Sequence, residues 1–315
     1  MYTNRITERM MNDNVIQILL NNRTKLNDLQ EQIASGKKIN TPSDDPSATM
    51  NILSDNSTLQ QIDNYTNNIN YAASEVDTAD NALLSAVEIV HKASELTVQA
   101  ANATSGPTEL SAIKAQIDQL ISQLKDIGNT KFNSKFLFGG LNTESAPFEA
   151  AGVNGDEILY TGTPYSTDGR FERKVEISQG ITAVINVAGN QVFGQYSSGP
   201  PEQKEGLFNT LKELSNELGA SPVNYDNIRS KIDVLKGNLS TLLDAQAKLG
   251  GVAYKLDATK TRLGDDQITY TKFKSNYEDI DLSKALSDMQ FQQTALQASL
   301  SASAQVLQKS LLDYI

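Results

Sequence analysis
Chemistry near neutral pH usually enlists histidine or cysteine, and this chain of 315 residues has one His and no Cys. That composition removes disulfides, zinc–thiolate sites, Cys nucleophiles and His-based triads together. His91 follows Val90 in a long helical pattern, where an imidazole reads as a solvent-facing flank residue rather than a ligand or base. Asp44-Asp45 could be drawn as a metal or acid/base pair, but Pro46 follows at once. Asp before Pro is the signature of an N-cap and a first-turn proline, so capping is the expected role. Gly250-Gly251 has no strand before it and no GxGxxG after it, which excludes a phosphate cradle. It reads instead as a close-packing point between helices. Glu157, Asp168, Arg170, Glu172 and Arg173 show no clustering beyond what strand surfaces carry. No catalytic, cofactor-binding or metal-ligating residue is expected, and the chain reads as something other than an enzyme.

Charge and hydropathy narrow the class further. The net charge is −11, and residues 41–128 alone carry 12 acids against 3 bases. Phosphate binding wants a basic surface, so nucleic acid is not an expected partner. No run of 18 or more apolar residues exists to span a membrane. Met1 to Ile18 lacks a basic start with an apolar block behind it, so no cleaved secretory leader is expected. The plain expectation is a cytoplasmic protein, unless export uses a route that needs no leader. Residues 1–40 and 275–315 are weakly opposite, at +2 and −3.

The elements that must carry these residues are helices. Apolar residues recur in steps of 3 and 4 along Val15, Leu19, Asn22, Leu26, Leu29 and Ile33. The same step runs from Ile52 through Asp55, Leu59, Ile62, Thr66, Ile69, Ala73, Val76, Asp80, Leu83, Val87, Val90, Ser94 and Thr97 to Ala101. It returns at Leu110, Ile113, Ile117, Leu120, Leu124 and Ile127, and again along Ile228, Ile232, Leu235, Leu239, Leu242, Gln246, Leu249, Ala253, Leu256, Lys260 and Leu263. The last stripe is Leu282, Leu286, Met289, Gln293, Leu296, Leu300, Ser303 and Leu307. A 3.5-residue repeat held this long predicts helices packed lengthwise in a left-handed coil. At 1.5 Å per residue the second helix would be on the order of 80 Å long. The fold class expected is mainly α, a long antiparallel coiled-coil rod of N- and C-terminal helices.

Punctuation agrees. Gly36 stops the first helix, Asn40-Thr41-Pro42 prevents its continuation, and Ser105-Gly106-Pro107 breaks the second. Between Gly128 and Pro201 the helical period disappears. Val175, Ile177, Ile185 and Val187 sit at alternate positions on either side of Gln179-Gly180, and Glu157–Tyr160 follows Asn154-Gly155. Period two with Gly-bearing turns predicts a small antiparallel β insertion. Phe132, Phe136, Phe138, Phe148, Phe171 and Phe193 all fall there, so the insertion is expected to have its own core. Three domains follow: 1–40 with 275–315, 41–128 with 201–274, and 129–200.

The terminal stripes are thin. Ordering a residue's backbone costs ~1–2 kcal/mol, whereas burying one large aliphatic side chain returns ~1.5–3 kcal/mol. Five apolar stripe positions in Val15–Ile33 do not offset that without neighbours. Ala285, Ala295, Ser299 and Ala302 form a small flanking column that permits close contact on a second face. The ends are therefore expected to order fully only on assembly, with Val15, Leu19, Asn22, Leu26, Leu29, Ile33, Leu282, Leu286, Met289, Gln293, Leu296, Leu300, Leu307 and Leu311 as the self-assembly residues. Polar residues in the stripes, among them Asn22, Asp55, Thr66, Asp80 and Gln293, either fix register or lie at a solvated edge.

The segment Gln32-Ile33-Ala34-Ser35-Gly36-Lys37-Lys38-Ile39-Asn40-Thr41-Pro42-Ser43-Asp44-Asp45-Pro46 resembles the N-terminal signature of the bacterial flagellin family. Its turn residues are Gly36, Asn40, Asp44, Asp45 and Pro46. Ala247–Val252, with Leu256 and Leu263 beyond, is similar to the family's returning helix. Lys135–Gly140, Val175–Gly194 and the ending from Gln292 to Ile315 look more like the hook–filament junction branch than like bulk flagellin. The resemblance covers nearly the whole chain. It implies export through the flagellar channel without a cleaved leader, extracellular placement at the hook–filament junction, and self-assembly into a ring or tubular layer. It also implies the other junction protein and flagellin as partners, an export chaperone at the C-terminal region, and no cofactor. The alternatives are flagellin itself, or a cytoplasmic coiled-coil scaffold whose terminal helices are stable in the monomer.

Overall fold
The computed structural model describes residues 8–102, 106–151, 157–166, 168–195 and 206–312. In chain order the elements are α1 (Glu8–Ser35), α2 (Pro46–Ala100), α3 (Pro107–Gly128), β1 (Lys131–Phe132), β2 (Lys135–Phe136), β3 (Phe148–Ala151), β4 (Glu157–Tyr160), β5 (Lys174–Ser178), β6 (Ile181–Val184), α4 (Gly189–Phe193), α5 (Gly206–Leu218), α6 (Tyr225–Glu278) and α7 (Leu282–Leu312). The fold is mainly α, as the long periodic stripes predict, with small antiparallel sheets in the middle. Those strands form three separate two-stranded hairpins, β1–β2, β3–β4 and β5–β6. The contacts divide the chain into two units, residues 1–61 with 265–315 and residues 62–264.

In the larger unit, α2 buries two seven-residue columns on one face. One is Ile69, Val76, Leu83, Val90 and Thr97; the other is Ala72, Ala79, Ala86, Ala93 and Ala100. The first column is the one expected. The second is a correction, because the stripe had placed Ala73, Asp80, Val87 and Ser94 there, and these are only partly buried. Both phases step by 3 and 4 through the same first column, and alanines score weakly against valine although they pack closest. Thr97 hides its hydroxyl by donating to Ala93 O at 2.6 Å, so a polar side chain sits in the seam without an orphan group. Glu75, Ala82, Ile89 and Leu96 add a third buried column. A face this wide suits a globular bundle rather than a two-stranded seam. Glu75 is one of the few buried charges, and it meets the Arg173 guanidinium that precedes β5.

On α6 every seventh residue, Ile228, Leu235, Leu242, Leu249, Leu256 and Leu263, is buried, while Gln246 is half-buried and Lys260 exposed. Along α3 the buried set is Leu110, Ile113, Ile117, Ile121, Leu124 and Gly128, so Ile121 and Gly128 replace the expected Leu120 and Ile127. Gly128 is needed there. A Cβ would stand 2.6 Å from the Phe148 ring.

That ring is central to the aromatic core, and the core is not the insertion's alone. Phe148 packs on Tyr160, Phe193 and Phe208 at centroid distances of 5.3, 5.7 and 5.1 Å. Phe208 belongs to α5, and Gly128 to α3, so helices complete what the strands begin. A hairpin pair has too little surface to bury six rings unaided. The β5–β6 hairpin is tied to both long helices: Asn68 Nδ2 donates to Glu176 O at 3.0 Å, Lys255 Nζ to Thr182 O at 2.8 Å, and Arg262 to Ser178 Oγ at 3.0 Å. Asn154-Gly155 lies outside the described residues.

Candidate assembly surface
In the smaller unit α1 packs on α7. The α1 side of the seam is the expected one: Val15, Leu19, Asn22, Leu26, Leu29 and Ile33 are all half-buried, and none is fully buried. The α7 side differs. Its inward positions are Ala285, Met289, Gln292, Leu296, Ser299 and Ser303, spaced 4, 3, 4, 3, 4. Met289, Leu296 and Ser303 belong to the expected stripe, whereas Leu282, Leu286, Gln293 and Leu300 are exposed. Their places in the seam go to Ala285, Gln292 and Ser299; Ala285 and Ser299 come from the small column that the sequence had set on a second face, whose Ala295 is half-buried and whose Ala302 is exposed. Helix α7 includes Leu307 and Leu311, whose side chains lie outside the described residues.

Hydrogen bonds explain how polar residues occupy a seam. Asn22 Nδ2 donates to Ser299 Oγ at 3.1 Å, and Gln292 Nε2 reaches Asn22 O and Oδ1 at 3.2 and 3.1 Å. Ser303 Oγ donates to Ser299 O at 2.6 Å. Each pairing satisfies a group that would cost ~1–3 kcal/mol if buried alone. Polar pairs of this kind fix register, because a one-step slip separates them. Gln293, for which the sequence left register and a solvated edge both open, is exposed; its neighbour Gln292 makes the bonds across the seam. Asp80 lies at the solvated edge of its helix.

The small seam leaves the large apolar side chains facing away from it. Ile16 and Leu20 on α1 are 54% and 53% exposed; on α7, Leu286 and Leu300 are 49% and 53% exposed, and Phe291 74%. Burying a large aliphatic or aromatic side chain contributes ~1.5–3 kcal/mol. An apolar set this concentrated marks a surface that something covers.

Two chain breaks close the other end of the hairpin. Gly36, at φ +73°, ends α1, and the next residues run beside the link between α6 and α7. Lys38 N donates to Glu278 O at 2.6 Å and Ile280 N to Gly36 O at 3.1 Å. Glu278, largely buried, receives Lys37 Nζ at 2.5 Å and Lys274 Nζ at 3.6 Å. The hydrogen bond from Lys37 to Glu278 raises the lysine above its ordinary pKa, and the charge of Glu278 adds to it. Asp44 then closes the turn: its carboxylate accepts from Asn40 N at 2.9 Å, Thr41 N at 2.8 Å and Thr41 Oγ1 at 2.8 Å. These bonds, the Thr41 amide first, hold Asp44 below the usual carboxylate range. Asp45 Oδ1 accepts from Ser47 N and Ala48 N, both at 3.0 Å, and Pro46 opens α2. The pair is thus consumed by backbone amides. Asp281 caps α7 in the same way, through Ser283 N and Lys284 N. The sequence reading passed over it, although Asp before an apolar helical run was the available signal.

Among the described residues no group of three or more His, Asp or Glu could hold a metal ion, and no helix is long and apolar enough to cross a membrane. His91 is exposed.

Two family models match the two helical arms. The bacterial flagellin N-terminal helical region matches residues 6–143, and the bacterial flagellin C-terminal helical region matches residues 231–315. The chain belongs to the flagellin family. Within that family, flagellar hook-associated protein 3 of Salmonella typhimurium is 27% identical over 94% of each chain. The protein of the same name from Escherichia coli is 25% identical over 95% of each. Among solved structures, the flagellar junction protein FlgL from Legionella pneumophila aligns with a TM-score of 0.57 at 16% identity, covering 73% of this chain and all of that one. This last likeness concerns the fold.

Proposed function
We propose that this flagellin-family chain is a structural subunit of the hook–filament junction, without catalysis of its own. The observation that carries the reading is the α1–α7 hairpin. Its seam is only half-buried and carries small and polar residues on the α7 side, while Ile16, Leu20, Leu286, Leu300 and Phe291 remain exposed. Such a hairpin is completed by neighbours, and the hook-associated relatives match along nearly their full length.

In this reading the chain leaves the cell through the flagellar channel, held beforehand by an export chaperone at its C-terminal region. It then assembles outside the cell into a ring or tubular layer. The other junction protein lies on the hook side and flagellin on the filament side. Residues 1–40 with 275–315 form the assembly part, 41–128 with 201–274 the helical body, and 129–200 the β insertion. The turn at Gly36, Asn40, Asp44, Asp45 and Pro46 sets where α1 stops and α2 starts.

The test is deletion of residues 282–315. The remaining chain keeps the cooperative unfolding of residues 62–264 but no longer enters flagella in a strain lacking the wild-type protein. A truncated chain that still enters flagella refutes the role of the terminal helices. Flagella of normal length and attachment in the strain without the protein refute the junction reading.

A further inference from the structure
Gly250 and Gly251 lie in the middle of the 54-residue helix α6, and both are exposed. The sequence suggested a close-packing point between helices, but among the described residues a Cβ at either position would meet nothing within 4 Å. Glycine is a poor residue for an exposed helix interior, and its usual compensation is the close approach of another backbone. Ala247, Gly251, Tyr254 and Ala258 recur at steps of 4, 3 and 4 and so share one face, opposite the buried column Leu242, Leu249, Leu256 and Leu263. Tyr254 is 77% exposed and Leu243, two turns before Gly251, is 47% exposed. The face is apolar, cut back at its centre and uncovered.

Charge identifies what covers it. Residues 243–262 carry Lys248, Lys255, Lys260 and Arg262 against Asp244 and Asp257, a basic stretch in a chain of net charge −11. Among the described residues none of these four cations has a carboxylate at ion-pair distance; Lys255 and Arg262 donate only to Thr182 O and Ser178 Oγ. Helix α2 is the converse. From 62 to 100 it holds six carboxylates and one lysine. Asp77, Leu84, Glu88 and Glu95 lie on its outward face, Leu84 exposed among them, and Asp77 and Glu88 have no cationic partner among the described residues. The two surfaces complement each other in sign, and each carries an apolar centre.

We propose that the outward face of α6 around Gly250-Gly251 docks α2 of a second copy of this chain, with Leu84 seated at the glycine pair and Asp77 and Glu88 directed toward Lys248 and its neighbours. The contact joins unlike faces, so each copy offers one of each and the contacts propagate around a ring or along a helix. The inference rests on the assembly reading above and adds the faces through which the larger units meet.

The chain's lack of Cys makes the test direct. Lys248→Cys is mixed with Glu88→Cys or Asp77→Cys, each variant carrying one cysteine, and flagella assembled from the mixture are oxidised mildly. Asp77 and Glu88 are about 16 Å apart along α2, so covalent dimers are expected from one of the two mixtures, according to the direction in which the helices cross, and not from any variant alone. In parallel, Gly250→Ala/Gly251→Ala raises the thermal midpoint of the free chain yet lowers its incorporation about tenfold, the factor equivalent to about 1.4 kcal/mol. Gly237→Ala, at another open helix position, raises the midpoint and leaves incorporation unchanged. Flagella that contain both cysteine variants but yield no dimer from either mixture overturn the docking while the assembly reading stands. The same holds if the double alanine variant incorporates as well as wild type. Absence of the wild-type chain from flagella overturns the assembly reading itself, and the docking with it.

Discussion

The same substitution, Gly to Ala in a helix, is expected to have opposite signs at two positions. Gly237 lies inside α6, exposed, with nothing within 4 Å of a built Cβ. Alanine there contributes about 1 kcal/mol of helix propensity and no contact changes. Gly128 is the last residue of α3, and a Cβ would lie 2.6 and 2.8 Å from two carbons of the Phe148 ring. That ring has nowhere to go. It is wedged among Tyr160, Phe193 and Phe208, and its backbone is pinned by Asn129, whose Nδ2 donates to Phe148 O at 2.9 Å while Oδ1 accepts from Phe148 N at 3.0 Å. Overpacking a core of this kind costs about 1–3 kcal/mol, and the rigid surroundings place this case near the upper end. Subtracting a propensity gain of at most about 1 kcal/mol leaves a net loss of about 1–2 kcal/mol. For a unit near 200 residues each kcal/mol moves the midpoint by about 2–4 °C. Thermal unfolding followed by circular dichroism should therefore show Gly128→Ala lower by about 2–8 °C and Gly237→Ala higher by about 2–4 °C. Equal stabilisation by both variants would refute the claim that the aromatic core is immovable at Phe148.

Other consequences can be measured on the free chain. Glu75→Ala strands Arg173 and is expected to cost about 3–5 kcal/mol in urea unfolding, whereas Glu75→Leu/Arg173→Leu loses about 1 kcal/mol or less; equal losses would show that the ion pair itself, not the stranded charge, sets the cost. Asp44 titrates below its ordinary 3.8 in the folded chain, so its contribution to the 40–45 turn is complete above that value and is lost as pH falls through the lower, folded one. The amide resonances of Asn40 and Thr41 should hold steady from neutral pH into the ordinary carboxylate range and move only below it; a midpoint at or above 3.8 contradicts the three hydrogen bonds.

What could be read from residue order was whatever depends on neighbours along the chain. The long helices, the stop at Gly36, the cap at Asp45-Pro46 and the break at Gly106-Pro107 follow from local backbone preferences, and the structure has them where the spacing put them, whereas β6 ends at Val184, before Ile185 and Val187, and the short helix α4 falls inside the expected β insertion. The large-residue columns were equally plain on α2, from Ile69 to Val90, and on α6, from Ile228 to Leu263, where a seven-residue repeat marks one face. The partner column of each seam was not. On α2 it is alanine, and on α7 it is Ala285, Gln292 and Ser299 rather than Leu282, Leu286, Gln293 and Leu300. Hydropathy ranks leucine above alanine and serine, yet the seam selects by size and by hydrogen bonds across it, from Asn22 to Ser299 and from Gln292 to Asn22, which exist only once the helices meet. The same holds for Phe208, which joined a core expected to belong to the β insertion, and for Gly250-Gly251, where a Cβ would meet nothing within 4 Å among the described residues. Local order set which segments are helices. Only packing decided which faces are spent inside the chain and which remain for a partner.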